Sequence, residues 1–543
     1  MQNPIGEVDL EWILHRNCEV TEQLRLIEQT VENSEKYSAN KRTVCILACF
    51  LIRRSCLERD LYMSILSGLE PHEVFRYFEE ICQIPHGSGN TRAMSDYLKE
   101  FAVAHQLKYR QDEYNNVIIW KDAAPGYESC PTVMLQGHMD MVCEKEEGCE
   151  KNMETEGLDL FIDGDMIGAH GTTLGGDDGI AVAMALAVLD QDDICHGPLE
   201  CVFTVDEEVG LKGALGLDTS DLKAAYMINI DSEKDKVLTV SCAGSIRAFF
   251  RFPLQREPFE GTALTISVDG LHGGHSGEEI HLGRANANVL LGRLLYEISC
   301  VTDLRIVEIK GGTKENAIPR VAGARVFVAD EQKALQIAAE KTAEIKKEFY
   351  NTDKDIQICV TAAGVGNEPA FDRSLTERLT CFLFCAPNGV QVMSADVPGL
   401  VQTSLNIGRI YQEEDAVVCS AMLRSSVNSQ NQEVLAKLQA LCKALGAKVR
   451  VESAYSAWEY RAASPLRETM ITAFRNVYGE EPKIEALHAG LECGILSGKM
   501  PHLDCISIGP DLPNIHTPRE RLYIQSTGRI WRLLLETLKQ LTE

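Results

Sequence analysis

The sequence predicts an α/β fold: a mixed, largely parallel sheet, interrupted by an inserted α+β domain and preceded by a helical N-terminal extension. Three observations predict it. From about Pro71, short apolar strands alternate with helices. From about Gly244 the pattern changes to strand-like segments with a few long helices, and near Trp458 it turns back. Residues 1–68 read instead as helix, rich in Glu, Leu, Arg and Ile.

The extension carries apolar positions at helical spacing, such as Leu10, Ile13 and Leu14, with a polar break at SEKYSANKR. It shows no chemistry. PHEVFRYFEEICQI follows as a helix. Then come the strands NNVIIW and TVMLQG, the buried helix IAVAMALAVL, and the strands LECVFTV and AAYMINI. In the insertion, SIRAFFRFPL, ALTISVDG, ARVFVAD and QICVTAAG read as strands. NANVLLGRLLYEI and QKALQIAAEKTAEIKKEFY read as helices. The helix LRETMITAFRNVY and the strand in HLDCISIG complete the first domain. The division is therefore 1–68, then 69–243 with 459–543, with 244–458 inserted.

Composition narrows the function. A chain of 543 residues, 45% hydrophobic, can bury at least one large core. A formal charge of -27 argues against nucleic acid or an anionic membrane as the main partner. The longest apolar runs, 44–52 and 180–189, fall short of the roughly 18–20 residues of a membrane span. The 19 cysteines are scattered singly, and MQNPIGEVDLEW lacks a basic stretch followed by an apolar one. Both point to a reducing, cytoplasmic compartment with mostly buried thiols. Cys381 and Cys385 in CFLFC read as one helix face, not a metal clip.

Acidic and histidine residues cluster just past the apolar strands. TVMLQG ends at His138 and Asp140; CVFTV at Asp206, Glu207 and Glu208; YMINI at Asp231. CISIG leads through a proline-containing loop to His516, and GGDDG places Asp177 and Asp178 before the Ile180 helix. Ligands of open α/β sheets gather beyond the carboxyl ends of the strands, so parallel neighbours would bring these groups into one crevice. His138, Asp177, Glu208, Asp231 and His516 supply two imidazoles and three carboxylates, a set suited to two divalent metals sharing a carboxylate. Imidazole with carboxylate suits Zn2+, with Mn2+ or Co2+ as alternatives. Asp140, two residues past His138 on extended backbone, can orient that ring. Adjacent Glu207 and Glu208 point apart, so one can bind metal while the other serves as general base.

Taken with IPHGSGN, LQGHMDMV, GTTLGGDDGIAVAMALAVL, TVDEEVGLKGALGLD, NIDSEKD, GGHSGEEIHLGRANAN, GGTKENAIPR, LHAGLECG and SIGPDLPNIHTP, the chain from about Pro71 onward resembles a known family. It is similar to the di-zinc peptidases related to carboxypeptidase G and peptidase T. Within them it looks most like the aminoacyl-histidine (Xaa-His) dipeptidases. The resemblance implies a metallopeptidase hydrolysing Xaa-His and related dipeptides with a water activated by two metals. It implies that His138 and Asp231 hold one metal, Glu208 and His516 the other, and that Asp177 bridges. Glu207 would be the general base, Asp140 would orient His138, and Asp177-Asp178 would be a cis peptide. The insertion would be a lid that also dimerises the chain. His275 of GGHSG, with His272 a weaker choice, would reach the scissile carbonyl oxygen. Arg424 would contact the substrate carboxylate, and Asn316 and Asn288 would be further polar contacts. The extension has no counterpart in that pattern. Two alternatives remain: another amidohydrolase, such as an N-acyl amino acid deacylase or broad dipeptidase, and a non-catalytic metal-stabilised binding protein.

Overall fold

The computed structural model describes residues 64–542. The expectation of a helical extension therefore falls almost wholly outside the described residues. Ser64 Oγ donates to Glu79 at 2.6 Å, and Leu66 is buried in the core of the first domain.

Six strands of the first sheet precede the insertion: β1 (Lys108–Gln111), β2 (Val117–Lys121), β3 (Val133–His138), β4 (Leu199–Thr204), β5 (Tyr226–Asn229) and β6 (Val237–Cys242). Nine follow in the insertion's own sheet: β7 (Gly244–Pro253), β8 (Gly261–Asp269), β9 (Leu304–Gly311), β10 (Ala322–Val328), β11 (Gln357–Gly366), β12 (Gly389–Met393), β13 (Val401–Gln412), β14 (Ala416–Ser425) and β15 (Lys448–Tyr455). The chain then returns with β16 (Lys483–Leu487) and β17 (Asp504–Ser507).

The first sheet has the order β1-β2-β4-β3-β5-β17-β6-β16. Its four central strands, β4, β3, β5 and β17, are mutually parallel. β2 and β6 run against them at either side. The sheet is thus mixed and parallel at its centre, as the alternating pattern led us to expect. β3 and β4 are buried at every position, the signature of a strand covered on both faces. The helix Gly176–Asp190 is apolar all round and lies between the sheet and the helix His72–Cys82. Gly137 permits that contact, because a Cβ there would sit 2.5 Å from the Ala181 methyl and 2.6 Å from an Asp178 oxygen.

The second sheet, in the order β11-β8-β10-β9-β13-β14-β7-β15 with β12 beside β13, is antiparallel throughout. Its strands alternate: on β8, Leu264, Ile266 and Val268 are buried while Thr265 and Asp269 are exposed. Helices Ala287–Val301, Arg373–Cys385 and Asn428–Ala444 bury Leu294, Phe382 and Leu438 in its core. That core is separate from the one built on residues 66–240 and 466–538.

Candidate metal centre and substrate cleft

Because β4, β3, β5 and β17 are parallel neighbours, their carboxyl ends form one edge. His138 ends β3. Glu207 and Glu208 lie just past β4, Asp231 just past β5, and His516 in the loop after β17. Asp177 joins them from the start of the Gly176–Asp190 helix. Left-handed backbone at Asp206 (φ 55°) and His516 (φ 58°) turns the two longer loops inward.

His138 Nε2 lies 3.0 Å from Asp177 Oδ1 and 3.8 Å from Asp231 Oδ1. His516 Nε2 lies 3.1 Å from Asp177 Oδ2 and 2.8 Å from Glu208 Oε1. Asp177 therefore turns one oxygen to each imidazole. Ligand atoms of His138, Asp177 and Glu208 fall within 4.8 Å of one another, as do those of His138, Asp178 and Asp231. The donor set and its spacing fit a pair of divalent ions. Asp178 Oδ2 accepts from the His138 backbone N–H at 3.2 Å, and the Asp177-Asp178 peptide is cis.

Electrostatics follow from this crowding. Hydrogen bonds to Asp177 and Glu208 raise the His516 imidazole to about 11. Burial works against a charged His138, and the carboxylates of Asp140, Asp177 and Asp231 more than reverse it. Burial pushes the Glu207 carboxyl well up, reinforced by Asp231, Glu208 and Glu492 and opposed by His138. The Glu207 carboxylate has no hydrogen-bond partner among the described residues, while its backbone N–H donates to Asp140 Oδ1 at 3.0 Å.

Asp140 holds His138 chiefly through its main chain. The ring Nδ1 lies 2.9 Å from the Asp140 carbonyl and 3.5 Å from its carboxylate. The carboxylate is shared with the Glu207 N–H and with Ser88 Oγ at 2.8 Å. It thus couples the β3 and β4 loops.

The inserted domain meets this edge across a cavity of about 630 Å³. Its walls include Gly277, Glu278 and His281 from the insertion, and Glu233 and His488 from the first domain. His275, Arg424 and His488 converge at Gly277. A Cβ there would lie 2.6 Å from the His488 carbonyl, 3.1 Å from His275 Cε1 and 3.2 Å from Arg424 Nε. His275 Nδ1 accepts from the Glu278 N–H at 3.2 Å, which leaves Nε2 to carry the proton. Burial and then the Arg424 charge hold this imidazole below its usual pKa. His272 is instead turned toward Asp353, its Nδ1 3.6 Å from the carboxylate. Arg424 is buried and its Nε has no partner among the described residues.

The two asparagines differ in burial. Asn288 is fully buried inside the lid, its amide on the Ile407 carbonyl at 3.2 Å and its oxygen against Gly311. It sits in the first turn of the Ala287–Val301 helix, with its Oδ1 in the space that a Cβ on Gly311 would fill. Asn316 is exposed, and its main-chain carbonyl accepts from Ser276 at 2.9 Å.

Two glutamates escaped the sequence reading. Glu520 Oε2 accepts from Leu174 and Gly175 N–H at 2.8 and 3.1 Å, and Oε1 from Gly176 and Asp177 N–H at 2.8 and 3.3 Å. It anchors the loop that presents Asp177. Glu492 lies beneath the ligands, fully buried. Nothing in the spacing of either marks it, since both partners are hundreds of residues away in the chain.

A model of peptidase family M20/M25/M40 matches residues 134–540. The chain is 36% identical over 483 residues to the cytosol non-specific dipeptidase of Escherichia coli (strain K12), covering 88% of this chain and 99% of that one. The crystal structure of aminoacylhistidine dipeptidase from Vibrio alginolyticus is similar at TM-score 0.81 and 36% identity, over 87% of this chain and 97% of that one. Aminopeptidase PepT from Bacillus cereus shares the fold at TM-score 0.51 and 16% identity, over 88% of this chain and all of that one (100%).

Proposed function

The chain belongs to peptidase family M20/M25/M40, and within it we propose a metal-dependent dipeptidase that hydrolyses Xaa-His and related dipeptides. One observation carries the reading: Asp177 faces His138 with one oxygen and His516 with the other, beside an uncommitted Glu207. His138, Asp231 and Asp177 would hold one divalent ion, and Glu208, His516 and Asp177 a second. Zn2+ is the ion proposed for this donor set, with Mn2+ or Co2+ as alternatives. When bound, the two ions supply Lewis acidity and lower the pKa of water.

The chain's own residues do the rest. Glu207 takes a proton from the attacking water and gives it to the leaving amine as the peptide C–N bond breaks. A buried carboxyl of raised pKa suits both halves of that transfer. His275 donates its Nε2 proton as a hydrogen bond to the carbonyl oxygen as negative charge develops there. Arg424 takes the dipeptide's carboxylate, for which its unpaired Nε in a buried pocket is the support. Asp140 holds His138 and the Glu207 loop in register. We also propose that the chain works in the cytosol as a homodimer through the lid domain, 244–458. Among the described residues no helix is long and apolar enough to cross a membrane.

The test is hydrolysis of a panel of Xaa-His and other dipeptides, with N-acyl amino acids alongside, before and after chelation. Full turnover after exhaustive metal removal would sink the reading. Preference for acyl amino acids over free-amine dipeptides would favour a deacylase.

A further inference from the structure

Beneath the candidate ligands lies a second layer of polar side chains. Gln136 is two residues before His138 on β3, and Asn229 is two before Asp231 on β5, so each shares the strand face of the ligand above it. Thr204 ends β4 beside them. Gln136 Oε1 accepts from Asn229 Nδ2 at 2.7 Å, and Gln136 Nε2 lies 3.3 Å from Thr204 Oγ1. One acceptor closes the network: Glu492 Oε2 receives Gln136 Nε2 and Thr204 Oγ1, each at 2.5 Å. Glu492 opens the helix Glu492–Lys499 and is 0% exposed, and its Oε1 has no partner among the described residues.

A buried carboxyl with one uncommitted oxygen is a poor device for stability alone, because an apolar side chain of similar volume would avoid its desolvation. Its hydrogen bonds reach only strands β3 and β4 directly and β5 through Gln136. β3 ends on His138 and β5 leads within two residues to Asp231. Glu208 lies four residues past Thr204, and His516 sits on a loop with no link to this layer.

We infer that Glu492 is a positioning residue for one half of the metal centre: through Gln136, Thr204 and Asn229 it aims His138 and Asp231, and it sets metal affinity there rather than at Glu208 and His516. The inference rests on the two-metal reading above. Outer hydrogen-bond partners of this kind change metal affinity by roughly 10–100-fold.

The experiment measures Zn2+ affinity of the full chain by competition with a chromophoric chelator. Glu492→Ala is placed in two backgrounds, His516→Ala, which leaves the His138–Asp231 half, and Asp231→Ala, which leaves the other. The expected result is a loss of about tenfold or more in the first background and less than about threefold in the second. Glu492→Gln should restore the first to within about threefold, since its amide carbonyl can still accept both hydrogen bonds. Equal losses in the two backgrounds, no loss in either, or a Gln variant as weak as the Ala one would overturn the inference. The Gln variant also guards against misfolding, with circular dichroism of each variant as the control. A wild-type chain that binds no metal would overturn the two-metal reading itself; two tight sites with an unselective Glu492→Ala would overturn only this step.

Discussion

Replacing Glu520 with alanine removes the acceptor of four consecutive backbone N–H groups, those of Leu174 to Asp177. Hydrogen bonds to a charged group contribute roughly 1.5–3 kcal/mol each, and a buried donor left without a partner carries a similar penalty. Water can re-enter the vacated space and satisfy some donors, so the sum is an upper bound, and a loss of about 4 kcal/mol is expected. Chemistry should suffer as well, because the last of the four donors belongs to Asp177, the carboxylate that faces both His138 and His516. A misplacement of roughly 1 Å at a reacting centre costs about 100-fold, which sets the expected fall in kcat/KM. Glu520→Gln keeps one acceptor oxygen and should fall between alanine and wild type. The assay pairs urea denaturation, followed by fluorescence of Trp120, Trp458 and Trp531, with dipeptide turnover at saturating metal. A Glu520→Ala protein within about 1 kcal/mol of wild type, with unchanged kcat/KM, would refute the claim that this carboxylate holds the Asp177 loop.

Glu207→Gln should lower kcat by about 10²–10⁴-fold while metal content by elemental analysis stays the same. His275→Ala should lower kcat by about 10²–10³-fold with little change in KM, as expected of a donor that acts mainly on developing charge; a pure KM effect would speak against that role. His488 provides a pH test. Burial, then the charges of Arg424 and His275, hold its imidazole down at about 3, against an ordinary 6.5. Between those values the unfolded chain binds a proton that the native state excludes, so stability falls as pH drops from 6.5 toward 3. The contribution is at most about 2 kcal/mol at pH 5, and His488→Gln should flatten the acid limb of stability against pH by that amount. Chelation should abolish turnover and lower the thermal midpoint, and readdition of Zn2+ should restore both.

Several features of this protein can be read directly from the order of its residues. Alternation of VMLQG, CVFT and YMIN with the all-apolar IAVAMALAVL calls for strands covered on both faces and a helix with no polar side. Those patterns depend only on the period of each element. The same reading gathers His138, Asp177, Glu207, Glu208, Asp231 and His516 at one edge, because parallel strands end at the same side of a sheet. Three matters were decided only in three dimensions. Asp140 holds its histidine chiefly through its carbonyl and less through its carboxylate, since two acceptors on one residue are equivalent in sequence. Asn288 turned inward because Gly311, distant in the chain, packs against it. Glu492 and Glu520 act on strand ends and loops more than 280 residues away, and hydrogen bonds of that span leave no periodicity behind. Local pattern determines what each segment becomes. Which side chains then face one another depends on how the strands are ordered, and only the folded chain sets that.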